Sequence, residues 1–133
     1  MSTVLFVCLQ NAGRSQISQA LFEQLGAGRH GALSAGTTPA ERVHPEAIDV
    51  MRELGVDLAD RQRQLLTHEL AQDADVVVTM GCGDQCPVIP GKRYIDWELP
   101  DPTNQPIEQV REIRDDIARR VRALVMELDS ANE

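Results

Sequence analysis

The sequence predicts a three-layer α/β fold, a four-stranded parallel sheet with helices on both faces. Three observations carry that prediction. Short apolar, β-branched runs alternate with stretches of helical periodicity along the whole chain. The runs Val4-Leu5-Phe6-Val7 and Val76-Val77-Val78 are apolar without alternation, the pattern of strands covered on both faces. A length of 133 residues suits one domain with a sizeable core, expected to span residues 1–133.

Each element can be justified in order. Thr3–Val7 reads as the first strand. Ser15–Leu25 reads as a helix, with Ile17, Leu21 and Leu25 at i, i+4 and i+8 facing inward and Gly26 and Gly28 closing it. Ala32–Ser34 is a weak second strand, followed by a loop over Thr37–Val43. Pro45 suits the first turn of a helix running to Leu54, with Gly55 beyond its end. Thr67–Gln72 is a short helical turn, Ala74–Thr79 the third strand and Tyr94–Ile95 a short fourth. Pro106–Leu128 is a long amphipathic helix. Val110, Ile113, Ile117, Val121, Leu124 and Leu128 line one face, and Arg, Glu and Asp cover the other. Asp129–Glu133 is expected to fray.

Composition narrows the function. Aromatic residues make up 3% of the chain, so the core must come from Val, Leu, Ile, Ala and Met, with Tyr94 and Trp97 as packing residues. A formal net charge of -8 argues against nucleic acid and anionic membranes as partners. The N-terminal apolar run is too short for a signal peptide or a membrane span. Three cysteines form an odd set, which fits a reduced, cytoplasmic chain with reactive thiols better than a disulfide-stapled one. A monomer with no bound cofactor or metal is the expectation.

The chemistry is concentrated in Cys8-Leu9-Gln10-Asn11-Ala12-Gly13-Arg14-Ser15, placed between the first strand and the first helix. Backbone N–H groups of such a loop and the N-terminus of the following helix converge on one spot and favour an anion there. Arg14 adds a planar fork able to grip two oxygens of a tetrahedral oxyanion. The same field favours thiolate over thiol at Cys8. Ser15 is placed to donate a hydrogen bond to that sulfur. Asn11 is expected to tolerate left-handed angles and to bond across the loop, and Gly13 to adopt angles that a Cβ would penalise. Asp101, held between Pro100 and Pro102, reads either as a turn former or as a general acid aimed at the loop. Ligands of open α/β sheets gather at the carboxyl ends of the strands, where Cys8, Cys82 and Asp101 all fall. Cys82 and Cys86 could be structural, bind metal or exchange disulfides. Zinc needs four ligands, and His30, His44 and His68 are expected to be exposed or capping.

C-x5-R-S after an N-terminal strand resembles the low-molecular-weight protein tyrosine phosphatases. Asp101-Pro102 resembles that family's general-acid loop. Gly81-Cys82-Gly83-Asp84-Gln85-Cys86-Pro87 resembles the redox segment of arsenate reductases built on the same scaffold. The resemblance runs from Val4 to the last helix. It implies the oxyanion-binding loop Leu9–Ser15 and catalytic roles for Cys8, Arg14, Asp101, Cys82 and Cys86. In that scheme Cys8 attacks arsenate with Asp101 as acid, and Cys82 attacks Cys8 to release arsenite. Cys86 then closes a Cys82–Cys86 disulfide, which thioredoxin or another thiol reductant reopens. Phosphate and sulfate are the expected competitors. Some relatives hold potassium through an acidic residue early in the first helix; the matching position here is Gln19, an uncharged amide. Two alternatives stay open. One is a tyrosine phosphatase, disfavoured by the few aromatic residues available for a phenyl pocket; the other is a non-enzymatic three-thiolate binder of arsenite or metal.

Overall fold

The computed structural model describes residues 2–26, 28–80 and 92–131, so Cys82 and Cys86 lie outside the described residues. Eight elements follow one another: β1 (Thr3–Cys8), α1 (Arg14–Leu25), β2 (Gly31–Gly36), α2 (Pro45–Arg52), α3 (His68–Gln72), β3 (Val76–Thr79), β4 (Arg93–Asp96) and α4 (Ile107–Ala131). The strands form one parallel sheet in the order β2-β1-β3-β4. The chain leaves β1 toward β2 on one side and returns to β3 on the other. The carboxyl end of β1 is therefore the point where the winding reverses, and Cys8 sits there, at the crevice where open sheets of this kind hold ligands.

Successive side chains of a strand point to opposite faces, and β1 feeds two cores in that way. Val4, Phe6 and Cys8 join Ile17, Leu21 and Phe22 of α1, Val50 and Met51 of α2, and the apolar stripe of α4. Leu5 and Val7 face the other way, toward Ala35, Ala71, Ala74 and Val77, with Tyr94 packed against that cluster. All six predicted stripe residues of α4 are buried, from Val110 to Leu128. Trp97 is buried, with its ring centroid 5.9 Å from that of Phe6, so it is a packing residue as expected.

The charged residues depart from expectation in three places. Arg114 does not cover the solvent face of α4; it is 9% exposed. Its Nη1 donates to the Val50 carbonyl at 2.9 Å and to Glu53 Oε1 at 2.7 Å, which ties α4 to α2. His30 is neither exposed nor capping, since its side chain is 1% exposed. It accepts from the Ser2 N–H at 3.2 Å through Nδ1 and lies 2.8 Å from Asp129 through Nε2. Asp129 does not fray. The helix continues to Ala131, and Asp129 also accepts from Arg29 Nε at 3.0 Å. Helix docking supplies partners that the local sequence does not display.

Candidate active site

β1 ends at Cys8 and α1 begins at Arg14, so five residues must turn the chain from strand to helix. Their carbonyls all accept hydrogen bonds from the protein. Leu9 accepts from the Thr38 N–H at 2.8 Å, Gln10 from the Ala40 N–H at 3.0 Å and Ala12 from the His44 N–H at 2.8 Å. Asn11 accepts from Gln16 Nε2 at 3.0 Å, and Gly13 from the Ile17 N–H at 3.0 Å. None of these bonds uses an N–H of Gln10–Gly13. These bonds leave the Gln10–Gly13 amides available to an anion.

The turn rests on Asn11 and on two close approaches. Asn11 has φ 51°, the left-handed region that asparagine tolerates. Gly13 is not the left-handed residue; what it supplies is room. A Cβ there would meet Pro102 Cγ at 3.3 Å and His44 Cδ2 at 3.5 Å. Gly36 at the end of β2 is tighter still. A Cβ would stand 2.7 Å from the Leu9 oxygen and 2.8 Å from the Asn11 nitrogen, both backbone atoms that cannot move aside cheaply.

A chain of hydrogen bonds orients the sulfur. The Gln64 N–H donates to Asn11 Oδ1 at 3.0 Å, which fixes the amide's orientation. Asn11 Nδ2 then donates to Ser15 Oγ at 2.9 Å. Ser15 Oγ lies 2.9 Å from Cys8 Sγ. Because the hydroxyl oxygen already accepts from the amide, its own hydrogen is free to point at the sulfur. Asn11, Ser15 and Cys8 are all buried.

Arg14 is 8% exposed, and its Nη1 donates to the Leu99 carbonyl at 3.0 Å. That neutral acceptor holds the guanidinium without cancelling its charge. Cys8, Leu9, Gln10, Gly13, Arg14, His44, Asp101 and Pro102 line a cavity of about 70 Å³. Pockets for drug-sized ligands run to roughly 300–1,000 Å³, so this one suits a small oxyanion. No Phe, Tyr or Trp is among these lining residues.

The structure brings Asp101 into that wall. Burial pushes its pKa up, but hydrogen bonds from Thr103, including a backbone N–H at 2.9 Å, outweigh this together with the positive field of Arg14 and of His44 when its ring carries a second proton. The net effect holds the carboxyl below the ordinary aspartate range. A bound dianion acts in the opposite direction and favours the protonated acid.

His44 was not legible as a site residue. It occupies the N-cap position of α2, but its side chain makes no capping bond. Instead its Nε2 lies 2.7 Å from Gln10 Oε1, and the ring faces the cavity. His68 is exposed, as expected. Leu99, Gly36 and Gln64 were likewise missed. Each acts from a distant segment, and none carries a local motif.

Gln19, at the position matching the potassium ligand, brings no negative charge for a cation and is engaged within the protein. Gln19 Oε1 accepts from Ser34 Oγ at 2.5 Å, while Gln19 Nε2 donates toward the Ala32 carbonyl at 3.4 Å. The Ser34 carbonyl accepts from Gln64 Nε2 at 2.8 Å, and Asn11 Oδ1 from the Gln64 N–H. Each of these oxygens accepts a protein hydrogen bond. Among the described residues, no group of three or more His, Cys, Asp or Glu is arranged to hold a metal.

Comparison with known proteins agrees with this geometry. The family model for low molecular weight phosphotyrosine protein phosphatase matches residues 3–133. A putative arsenate reductase of Halobacterium salinarum is 47% identical over 122 residues, covering 87% of this chain and 85% of its own. A glutaredoxin arsenate reductase of Synechocystis sp. is 35% identical, covering 96% of this chain and 99% of its own. Among solved structures, a thioredoxin-dependent arsenate reductase of Corynebacterium glutamicum superposes with a TM-score of 0.85 at 39% identity. That match covers 98% of this chain and 63% of the Corynebacterium one. With residues 3–133 matched by the family model, the chain belongs to the low molecular weight phosphotyrosine protein phosphatase family.

Proposed function

We infer that this chain is an arsenate reductase and that a three-cysteine relay turns it over. The observation that carries this reading is the setting of Cys8, whose sulfur stands at the floor of a small cavity beside Arg14 and Asp101. The family membership and the named relatives support it. In the first step the Cys8 sulfur attacks arsenic and an oxygen leaves as water, protonated from the cavity wall. A Cys82 thiolate then attacks the Cys8 sulfur. The sulfur–arsenic bond breaks, arsenic keeps the electron pair and leaves as arsenite, and a Cys8–Cys82 disulfide forms. Cys86 attacks Cys82, which restores the Cys8 thiolate and leaves a Cys82–Cys86 disulfide. Arsenic gains two electrons and two thiols lose them, and an external dithiol closes the cycle.

Arsenate and phosphate are close in shape and charge, so the cavity separates them poorly and the redox step supplies the selectivity. A thioredoxin-like or glutaredoxin-like protein, or a small thiol, is the proposed reductant. A reducing cytoplasm is the proposed location, since the relay needs free thiols. Among the described residues no helix is long and apolar enough to cross a membrane. Weak phosphatase activity is expected from the same nucleophile.

The test is arsenite formation by purified protein with each reductant, beside hydrolysis of p-nitrophenyl phosphate. Wild type should release arsenite over many turnovers. Cys82→Ser should keep hydrolysis and lose turnover. Sustained turnover by Cys82→Ser at the wild-type rate would remove the relay.

A further inference from the structure

His44 stands at the N-cap of α2, yet it leaves that helix uncapped and turns its ring toward Cys8, Arg14 and Asp101. A histidine that gives up a capping bond for an anion cavity calls for a physical account. Its Nε2 faces the side-chain amide oxygen Oε1 of Gln10 at 2.7 Å, so with the amide in this orientation Nε2 carries the hydrogen. Nδ1 has no hydrogen-bond partner among the described residues. A further proton can add there without breaking the bond to Gln10.

We propose that His44 is a second cationic group of the oxyanion site, taking up a proton at Nδ1 as a dianion enters the cavity. This rests on the reading of the cavity as an oxyanion site. The charged groups around the ring act on it in both directions. Arg14 on the cradle and the positive N-terminal end of α2 disfavour an imidazolium. Asp101 on the acid loop favours it, as does Glu46 in the first turn of α2. An entering dianion tips this balance, because its two negative charges lie within the wall that His44 helps to form.

The consequence is chemical as well as electrostatic. Loss of oxygen from arsenate needs one proton to leave as water rather than hydroxide. An imidazolium formed on binding brings that proton into the cavity and returns to neutral imidazole when it is used. Asp101, which the protein's own groups hold toward its ionised form, can take the proton from His44 and pass it on, or His44 can deliver it directly.

Sulfate is the suitable probe, since it stays a dianion across the working pH range. A thiol in the cavity is a second ionisable group, so the measurement belongs in Cys8→Ser, where Arg14, His44 and Asp101 are the ionisable groups lining the cavity among the described residues. Sulfate affinity in Cys8→Ser should fall by up to about tenfold for each pH unit above the histidine range, the limit for one linked proton. Calorimetry in two buffers of different ionisation heat should show uptake approaching one proton. Cys8→Ser/His44→Gln, whose amide can still reach Gln10, should bind more weakly, with a flat pH profile and no uptake. Sulfate bound by Cys8→Ser with no proton uptake would overturn the proposal while leaving the oxyanion site standing. No sulfate binding by wild type would overturn both.

Discussion

Arg14 and Arg114 are almost equally buried, at 8% and 9% exposed, and each donates Nη1 to a backbone carbonyl from a distant segment. There the likeness ends. Arg114 also bonds Glu53 Oε1 at 2.7 Å and Asp115 Oδ1 at 2.9 Å, and Arg111 bonds the same Glu53 at 2.8 Å. Its charge is neutralised within the protein, and its work is to hold α4 on α2. Arg14 has a carbonyl as its hydrogen-bonded anchor and lines a cavity with Cys8 and the loop that follows it. Its charge remains for a ligand. The same residue type at the same depth becomes a structural tie or an anion receptor according to whether its acceptor is charged.

Substitutions should separate the two arginines. Cys8→Ser has the largest expected effect, loss of both arsenite formation and p-nitrophenyl phosphate hydrolysis, with the fold and the anion site retained. A melting curve alongside the assays checks that the loss is chemical. Asp101→Asn should slow the first chemical step by roughly 10²–10⁴-fold, the usual worth of a positioned acid, in single-turnover measurements. An unchanged rate would return Asp101 to a turn former and leave the proton to His44.

Arg114→Ala should cost about 1.5–3 kcal/mol of stability, the range for hydrogen bonds to charged groups, and should leave phosphate binding intact. Chemical denaturation would show the lower midpoint. A smaller effect concerns Glu53. Hydrogen bonds from Arg111 first, then Arg114, lower its pKa from the ordinary 4.5 to about 2. A lowered carboxylate stabilises the fold above its unfolded value, and that contribution is lost as pH falls through the folded one. Glu53→Gln should therefore flatten part of the stability decline between about pH 4.5 and pH 2. An identical acid limb in both proteins would dissociate Glu53 from the clamp.

How much of this could be read from the sequence follows the same divide. The strands, helices and the α4 stripe were legible because periodicity and apolar runs are local signals. Cys8, Asn11, Arg14 and Ser15 were legible because the cradle is built within eight consecutive residues. His44, Gly36, Gln64 and Leu99 reach the cradle only after β2, its following loop and the acid loop fold back upon it, and no spacing along the chain encodes that meeting. Arg114 was misassigned for the same reason. Its main acceptors, Val50 and Glu53, lie 64 and 61 positions away in sequence. Gly13 was recognised for its backbone freedom, and the space it leaves beside Pro102 and His44 emerges only on folding.

The central claim is that Arg14 keeps its charge for an oxyanion while Arg114 does not. Phosphate titration followed by thermal unfolding tests it most directly, because a ligand bound only to the native state raises stability by mass action. Wild type and Arg114→Ala should each gain stability with a saturable dependence on phosphate, Arg114→Ala from a lower starting point. Arg14→Ala should show no response at concentrations that saturate the wild type. A phosphate response that survives in Arg14→Ala, or that disappears in Arg114→Ala, would contradict the account.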